Sequence, residues 1–390
     1  MEIVLWSIAA LLGAQLLFAL WNVRQLPSFG KPDDMADDTA DPDQRYSVHE
    51  SSLIRLSILI PARDEERHIG GCLQAISACL PADAADIEII VLDDGSTDAT
   101  AYIARAYAEA DCRFRVAAGA EKPADWVGKA YACHQLAQLA RGSWLWFIDA
   151  DARMQPGAIQ AIGRELNARS CGLISGFPRQ QTGSWLERLV VPMMGFTIAC
   201  HLPIRLVSAS RDPRFAAAHG GWIGIHRATY ALAGGHAANR GELVDDVALM
   251  RAVKRAGHPV ALADVRMQVT MRMYRSAAEV WSGYTKNIYA GLGRSGSLLF
   301  AVLSLYALLY LLPLAVLPTV WLYPALAPPA LTAYVLGAGV KAVADRSQSQ
   351  PLWLAPLVPL SIAAVIAIGA ASWLAAKSGR GYEWKGRSYE

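Results

Sequence analysis

Two carboxylates one residue apart close an apolar run at Trp144-Leu-Trp-Phe-Ile-Asp149-Ala-Asp151. Side chains at i and i+2 of a strand share a side, so Asp149 and Asp151 can converge on one ligand at the carboxyl edge of a sheet, where open parallel sheets bind ligands. Two hard oxygen donors with few other protein partners suit Mg²⁺ or Mn²⁺, which keeps several waters and takes further ligands from substrate phosphates; an acidic turn after a strand is the plainer reading. A second pair, Asp93-Asp94, closes Ile87-Glu-Ile-Ile-Val-Leu92 and runs into Gly95-Ser96-Thr97-Asp98. A carboxylate there can accept the imide hydrogen of uracil or a ribose hydroxyl, or simply belong to a capped tight turn. Lys129 follows Gly128 at a helix start, where it can neutralise a phosphate together with the free N–H groups of that helix or stay solvated. A third pair, Asp245-Asp246, precedes a basic helix ending near Gly257 and reads from its residues alone as the acidic first turn that a helix dipole favours.

The elements that must position these groups alternate. The strand Leu56-Ser-Ile-Leu-Ile-Pro61 gives way to Ala-Arg63-Asp64-Glu65-Glu66 and a helix over 67–79. The Ile87 strand is followed by a helix over 99–108, with Ser96 or Thr97 as its cap, and a short strand over 114–117 precedes the helix that starts at Gly128 and leads to Arg141. Short connections between alternating strands and helices predict a parallel α/β sheet with right-handed crossovers. Further on, His219-Gly220-Gly221-Trp222-Ile-Gly-Ile-His226-Arg227 predicts a glycine loop, a short strand and a helix from Ala228; the glycines let backbone approach a ligand. Gly234-Gly235-His236 through Asn239-Arg240 is a second loop.

Composition places this domain on a membrane. Of 390 residues, 54% are hydrophobic and 18% charged, with mean hydropathy +0.24, too apolar for an ordinary soluble enzyme. The six cysteines, at 72, 79, 112, 133, 171 and 200, show no C-x-x-C spacing, so neither a zinc site nor a disulfide frame is signalled and a reduced compartment is the simpler reading. A net charge of +2 makes no case for nucleic acid. The 19 residues from Ile3 to Trp21 carry no charge and can span a bilayer; without a basic n-region or a small-x-small site they read as an uncleaved anchor rather than a signal peptide. Arg24 and Lys31 then put the chain beyond the anchor in the cytoplasm. Residues 29–52, rich in Asp, Pro and Ser, predict a solvated linker.

Uncharged runs of 46 residues from Ser295 to Val340 and of 30 from Ser347 to Ala376 allow two spans and one span, with the turn in the first run at Pro324, Pro328 and Pro329. Lys341 and Arg346 put the loop before the last span inside, which sends the tail outside, whereas Lys377, Arg380, Lys385 and Arg387 favour the inside; a re-entrant segment or an external tail would reconcile them. The apolar stretch Trp185–Arg205, broken by Pro192, reads equally as an interfacial segment or as a core helix.

Taken together, Ile60-Pro61-Ala62-Arg63-Asp64-Glu65-Glu66, Asp93-Asp94-Gly95-Ser96-Thr97-Asp98, Gly128-Lys129-Ala130 and Asp149-Ala150-Asp151 stand in the order and spacing that resembles family 2 glycosyltransferases of the GT-A fold, over roughly residues 55–290. The resemblance implies a nucleotide-sugar site from Pro61, Arg63, Glu65, Asp93, Asp94, Lys129 and Asp149, with Asp93 or Asp94 at the base, Asp149 at the ribose and metal, and Asp151 at the metal that holds the diphosphate. An acidic pair before x-x-Leu supplies the base in that family, which points to Asp246 first and Asp245 second. Gly220, Gly221, Trp222, Arg272, Tyr274 and Lys286 are candidates for the acceptor or diphosphate. The Q-x-x-R-W of polysaccharide synthases is replaced by Met271-Arg272-Met-Tyr274-Arg275, which argues against processive polymer synthesis. Gly235-His-x-x-Ala-Asn239-Arg240, Arg272-Met-Tyr274, Gly-Tyr-Thr-Lys286 and Glu383-Trp384-Lys385-Gly386-Arg387-Ser-Tyr389 look most like the 4,4'-diaponeurosporenoate glycosyltransferase group, whose acceptor is a carotenoid acid.

The expected organisation is an α/β chain with a GT-A (nucleotide-diphospho-sugar transferase), Rossmann-like domain plus transmembrane helices: an anchor over 1–22, an acidic linker over 23–54, the transferase domain over 55–294, a transmembrane region over 295–376 and a basic tail over 377–390. The expected activity is metal-dependent, inverting transfer of a hexose from a nucleotide-sugar, a UDP-sugar first, to a lipid acceptor such as a carotenoid acid or other terpenoid, by a multi-pass protein of the cell membrane whose catalytic domain is cytoplasmic. A hopanoid, polyprenyl phosphate or glycolipid acceptor is the alternative within the class, and a non-catalytic membrane subunit that binds nucleotide-sugar is the alternative outside it.

Overall fold

Six of the seven residues of Leu56–Ala62 are buried, so this strand has neighbours on both sides and cover on both faces. In the computed structural model, which describes residues 1–30, 54–82, 84–378, 382–384 and 387–389, the chain forms two compact units, one of Leu26–Arg179 and Arg205–Met271, the other of Met1–Gln25, Gln180–Ile204 and Arg272–Glu390. The acidic linker expected over 23–54 lies outside the described residues from 31 to 53, as does part of the basic tail.

The first unit holds the sheet. Its strands are β1 (Leu56–Ala62), β2 (Ile87–Asp93), β3 (Phe114–Ala118), β4 (Trp144–Phe147), β5 (Ala152–Met154), β6 (Leu173–Ser175), the two-residue β7 (Arg179–Gln180) that ends at the unit boundary, β8 (Ile223–His226), β9 (Val260–Leu262) and β10 (Val269–Met271). Seven of them run in the order β3-β2-β1-β4-β8-β6-β9. Leu56 is level with Ile87 on one side and with Trp144 on the other, both in parallel pairing. The wholly parallel sheet expected from the alternation holds from β3 to β4 and stops there, because β8 is antiparallel to both β4 and β6. The reversal has a purpose in the geometry. It sets Ile223, the amino end of β8, beside Phe147, the carboxyl end of β4, and so brings the glycine loop before β8 to the edge where Asp149 follows β4.

Packing explains why glycine stands at 224. Trp146 lies across β8 with no exposure, and a Cβ at Gly224 would run into its ring. Trp146 meets Trp222 edge-on at 5.3 Å, and Phe29 closes on both at 5.9 and 5.8 Å; such pairs add about 0.5–1.5 kcal/mol each beyond the area they bury. Phe29 is held there by backbone. Its N–H donates to the Asp264 carbonyl at 3.1 Å, Asp264 N–H donates to the Pro27 carbonyl at 2.8 Å, and Gly30 N–H donates to Glu165 Oε1 at 2.8 Å.

The helix expected over 99–108 spans Thr100–Ala110, and neither Ser96 nor Thr97 caps it. The N-cap position falls to Ala99, which has no capping side chain, and Asp98 before it meets the first turn, its Oδ1 accepting from Thr100 N–H at 2.9 Å and from the Thr100 hydroxyl at 2.5 Å. Ser96 and Thr97 are engaged instead by Asp64.

The second unit is helical. Among the described residues, four helical segments, Glu2–Gln25, Gly296–Thr319, Pro324–Ser347 and Leu352–Lys377, are long and apolar enough to cross a membrane, so the 46-residue run holds one and most of another and breaks just before Pro324. The third continues past the last uncharged residue because Lys341 pairs with Asp345 one turn on, both side chains fully buried. The Trp185–Arg205 stretch forms two helices, Trp185–Val190 and Met193–His201, on either side of Pro192. Buried Asn22 donates to the carbonyls of Ala199 at 3.0 Å and Leu202 at 2.7 Å, and accepts from Ile204 N–H at 2.8 Å, so one side chain satisfies the end of the second of these helices. Ser184 and Glu187 form a capping box, and Glu187 also meets Arg272 at 3.1 Å.

Glu187 gives a stability test with a defined sign. Burial alone would raise its carboxyl, but Arg272 and the N–H groups of Ser184 and Gly183 hold it down at about 2. Stabilisation from a depressed acid is complete above the unfolded value of 4.5 and is lost as pH falls toward 2. Glu187→Gln should therefore cost roughly 1.5–3 kcal/mol at neutral pH. In thermal unfolding in detergent, the gap between variant and wild type should close between those pH values; a gap that ignores pH would exclude the ion pair as its source.

Candidate active site

The carboxyl ends of β1 and β2 run into two loops that bond to one another. Asp64 N–H donates to Ser96 Oγ at 3.0 Å, Glu65 N–H to Thr100 Oγ1 at 2.7 Å and Glu66 N–H to Asp98 Oδ2 at 3.0 Å. In return, Asp64 Oδ1 accepts from Thr97 N–H at 2.8 Å and Glu66 Oε2 from Ala99 N–H at 3.3 Å. Asp64 has φ 49°, a region few side-chain-bearing residues occupy, and this reciprocal bonding holds it there. Arg63, two residues past Pro61, donates to the Asp94 carbonyl at 2.6 Å. Asp94 is buried, while Asp93 Oδ1 accepts from Ser96 N–H at 3.3 Å. Glu65 Oε2 lies 2.8 Å from His68 Nδ1.

Asp149 and Asp151 stand in the connection between β4 and β5, since β4 itself ends at Phe147. Ala152 N–H closes the turn on the Asp149 carbonyl at 3.0 Å. Lys129, second residue of the helix Gly128–Leu139, reaches Asp149 with 2.5 Å between Nζ and Oδ1. Burial would lower this lysine, yet the carboxylates of Asp149 and Asp245 raise it above its ordinary value. Asp151 is pushed up to about 7 by burial first and then by Asp149 and Glu65. A carboxyl raised by burial and by its acidic neighbours, beside an aspartate that has drawn in an ammonium, is what a divalent cation would relieve. The donors are oxygens only, which fits Mg²⁺ or Mn²⁺.

The glycine loop completes this edge. Ser175, at the end of β6, accepts from His219 N–H at 3.0 Å and donates to the Trp222 carbonyl at 2.9 Å, and His219 Nδ1 accepts from Gly221 N–H at 3.0 Å. Burial lowers His219 to about 4, so it stays neutral and able to accept. Trp222 points into the aromatic cluster with no exposure, leaving the backbone of Gly220 and Gly221 to form the loop's face. Gly220 N–H donates to Asp246 Oδ2 at 2.9 Å, and Asp246 Oδ1 accepts from Val247 N–H at 2.8 Å. Asp246 is raised to about 6, by burial and then by Asp245. A Cβ on Gly220 would lie 2.7 Å from Lys129 Nζ and 3.7 Å from Asp246 Oδ2, which puts the loop, the lysine and the aspartate within one small volume.

The residues expected at the site thus divide. Pro61, Arg63, Glu65, Asp93, Asp94, Lys129, Asp149, Asp151, Gly220, Gly221, Trp222, Asp245 and Asp246 all belong to the sheet unit, whereas Arg272, Tyr274 and Lys286 belong to the helical unit. There Arg272 is paired with Glu187, and Tyr274 is buried against Tyr284, 5.6 Å between ring centres. Ser175 carried no signal in the sequence, since its part depends on the pairing of β6 with β8.

A divalent cation held by Asp149 would have to compete with Lys129. Lys129→Met should therefore bind Mn²⁺ more tightly than wild type, by about tenfold, as expected for one charge-assisted hydrogen bond of roughly 1.5 kcal/mol. Calorimetric titration measures it; equal or weaker binding in the variant would rule the competition out.

Residues 57–229 match the family model for Glycosyl transferase family 2. The chain is 27% identical over 255 residues to the 4,4'-diaponeurosporenoate glycosyltransferase of Staphylococcus aureus strain MRSA252, covering 64% of this chain and 65% of that one. Against the protein of the same description in strain USA300 it is 27% identical over 242 residues, 61% and 62% of the two chains. The chain thus spans slightly less than two thirds of the length of these relatives. Among solved structures, the mannosyltransferase PcManGT from Pyrobaculum calidifontis, in complex with GDP-Man and Mn²⁺, is similar in fold, with a TM-score of 0.55, 18% identity, and coverage of 96% of this chain and 99% of that one. The mixed sheet with its Rossmann-like half is that of the GT-A fold, and the similarity to family 2 glycosyltransferases lies in residues 57–229.

Proposed function

We propose that this protein is a membrane-bound, inverting glycosyltransferase that moves a hexose from a nucleotide-sugar to a lipid acceptor, a carotenoid acid or related terpenoid carboxylic acid first among them. The observation that carries the reading is the meeting of Lys129, Gly220 and Asp246 beside Asp149, which gathers groups for diphosphate, metal and proton at one sheet edge. Four helices able to cross a membrane and the similarity to 4,4'-diaponeurosporenoate glycosyltransferases support a lipid acceptor.

In this reading the interlocked loops after β1 and β2 hold the nucleoside, with Asp93 or Asp94 accepting from the base and Asp149 facing the ribose. Asp149 and Asp151 would hold Mg²⁺ or Mn²⁺, which supplies neutralisation of the charge that grows on the departing nucleoside diphosphate. Lys129 turns from Asp149 to the diphosphate. With a hydroxyl acceptor, Asp246 takes the proton as the acceptor oxygen attacks the anomeric carbon, a contribution worth ~10²–10⁴-fold; a carboxylate acceptor attacks without that transfer. Burial and Asp245 keep Asp246 basic, while the N–H groups of Gly220 and Val247 fix where its oxygens lie. A single displacement of this kind inverts the anomeric centre.

The base has a discriminating test. Asp246→Asn should lose about 10²–10⁴-fold in turnover with a hydroxyl acceptor but far less with a carboxylic acid, which is already ionised at neutral pH. Equal losses with both acceptor types would remove Asp246 from proton transfer. The transferase itself is tested by release of nucleoside diphosphate from purified protein in detergent, across UDP- and GDP-sugars and extracted lipids. Metal- and lipid-dependent release that disappears in Asp151→Asn is expected; silence from folded wild type with every pair would favour a non-catalytic nucleotide-sugar-binding subunit.

A further inference from the structure

A thiol, an imidazole and a carboxylate from three separate elements converge near the proposed base. Cys133 stands on the helix Gly128–Leu139, His236 on the 3-10 turn Gly235–Asn239 and Asp245 at the start of the helix Asp245–Arg255, and one ligand atom from each lies within 4.8 Å of the others. We propose that these residues form a second metal site, distinct from Asp149 and Asp151, that takes a borderline-soft divalent ion, Zn²⁺ above all.

The donor chemistry makes the choice of ion. Thiolate and imidazole favour Zn²⁺ and discriminate against Mg²⁺ and Mn²⁺, the ions suited to the all-oxygen pair nearby. The geometry is that of an open cluster rather than a bonded one: among the described residues, no hydrogen bond or ion pair joins Cys133, His236 and Asp245 to one another, although their atoms are so close. The Cys133 thiol is 2% exposed and, among the described residues, has no hydrogen-bond partner. His236 is 3% exposed, and its Nδ1 lies 2.9 Å from the Tyr230 hydroxyl, which also accepts from the His236 backbone N–H at 3.1 Å. A partner on one ring nitrogen fixes the imidazole and leaves Nε2 for a metal, the arrangement usual for ligating histidines.

Zinc bonds of about 2.0–2.3 Å set ligand atoms about 3.3–3.7 Å apart, so the cluster needs to close by about 1 Å. Binding releases the Cys133 proton, and the resulting thiolate and the Asp245 carboxylate balance the double charge. Lys129, one turn before Cys133, is engaged by Asp149. The fourth position is left for water. Such an ion would fasten the helix that carries Lys129 to the helix that carries Asp246, and it would make Asp245 a ligand, taking it out of proton transfer and leaving burial as what keeps Asp246 basic.

The test uses full-length protein in detergent with exposed Cys112 replaced by serine, and it does not depend on transferase activity. Elemental analysis after growth with added zinc should find about one Zn²⁺ per chain. The ion should remain in Asp151→Asn and be lost in Cys133→Ser and in His236→Gln. Metal-free protein titrated with Co²⁺ should develop a thiolate-to-cobalt charge-transfer absorption that Cys133→Ser lacks. No zinc together with no thiolate absorption in otherwise unaltered protein would overturn the proposal even if the variants failed to fold, and zinc retained by both variants would overturn it as well.

Discussion

Like charges gathered at one sheet edge set the terms for everything around them. Burial first, and then the charges of Asp149 and Glu65, push Asp151 up to about 7, and burial followed by Asp245 raises Asp246. Such an assembly stands only if backbone donors and a cation are built in beside it. The N–H groups of Gly220 and Val247 serve Asp246, the Lys129 ammonium serves Asp149, and a side chain at 220 would intrude on that ammonium. The rigidity of the neighbouring loops has the same origin: each lends hydrogen-bond partners to the other, so neither can relax outward and separate the carboxylates.

Much of this was legible in the residue order, for a physical reason. Strands that are buried on both faces read as apolar runs, and the polar groups that end them are exposed to view in the sequence; Ile87 to Asp94 and Trp144 to Asp151 are of this kind. The uncharged runs translate directly into four membrane-length helices because length and apolarity are all that the criterion needs. What stayed hidden depends on pairing between distant segments. The direction of β8 is set by its neighbours β4 and β6, not by Ile223–His226. The first turn of the helix Thr100–Ala110 is met by Asp98 while Asp64, from another loop, engages Ser96 and Thr97. Cys133, His236 and Asp245 have no spacing in common, since each comes from a different element.

The helical unit shows the same economy with polar groups in apolar surroundings. Asn22 satisfies the end of Met193–His201 through its backbone partners there, and Lys341 and Asp345 satisfy each other across one helical turn. Unpaired, either kind of group would cost several kcal/mol in a membrane. Residues 180–204 lie between β7 and the return to the sheet unit in sequence, yet they fold with Met1–Gln25 and Arg272 onward, because their apolar faces find partners such as Tyr306 and Tyr310 around Phe196.

Order along the chain sets an order of assembly. β1, β2, β3 and β4 all end by Phe147, whereas β8 follows only after the excursion between Phe147 and Ile223. The half-sheet that bears Asp93, Asp94 and Asp149 can therefore form while the ribosome is still adding residues, before Gly220 and Asp246 have been made. Nascent chain held at that stage would display its acidic edge without the strand that completes it, and the protein becomes competent for chemistry only when the later strand and Asp246 have joined it.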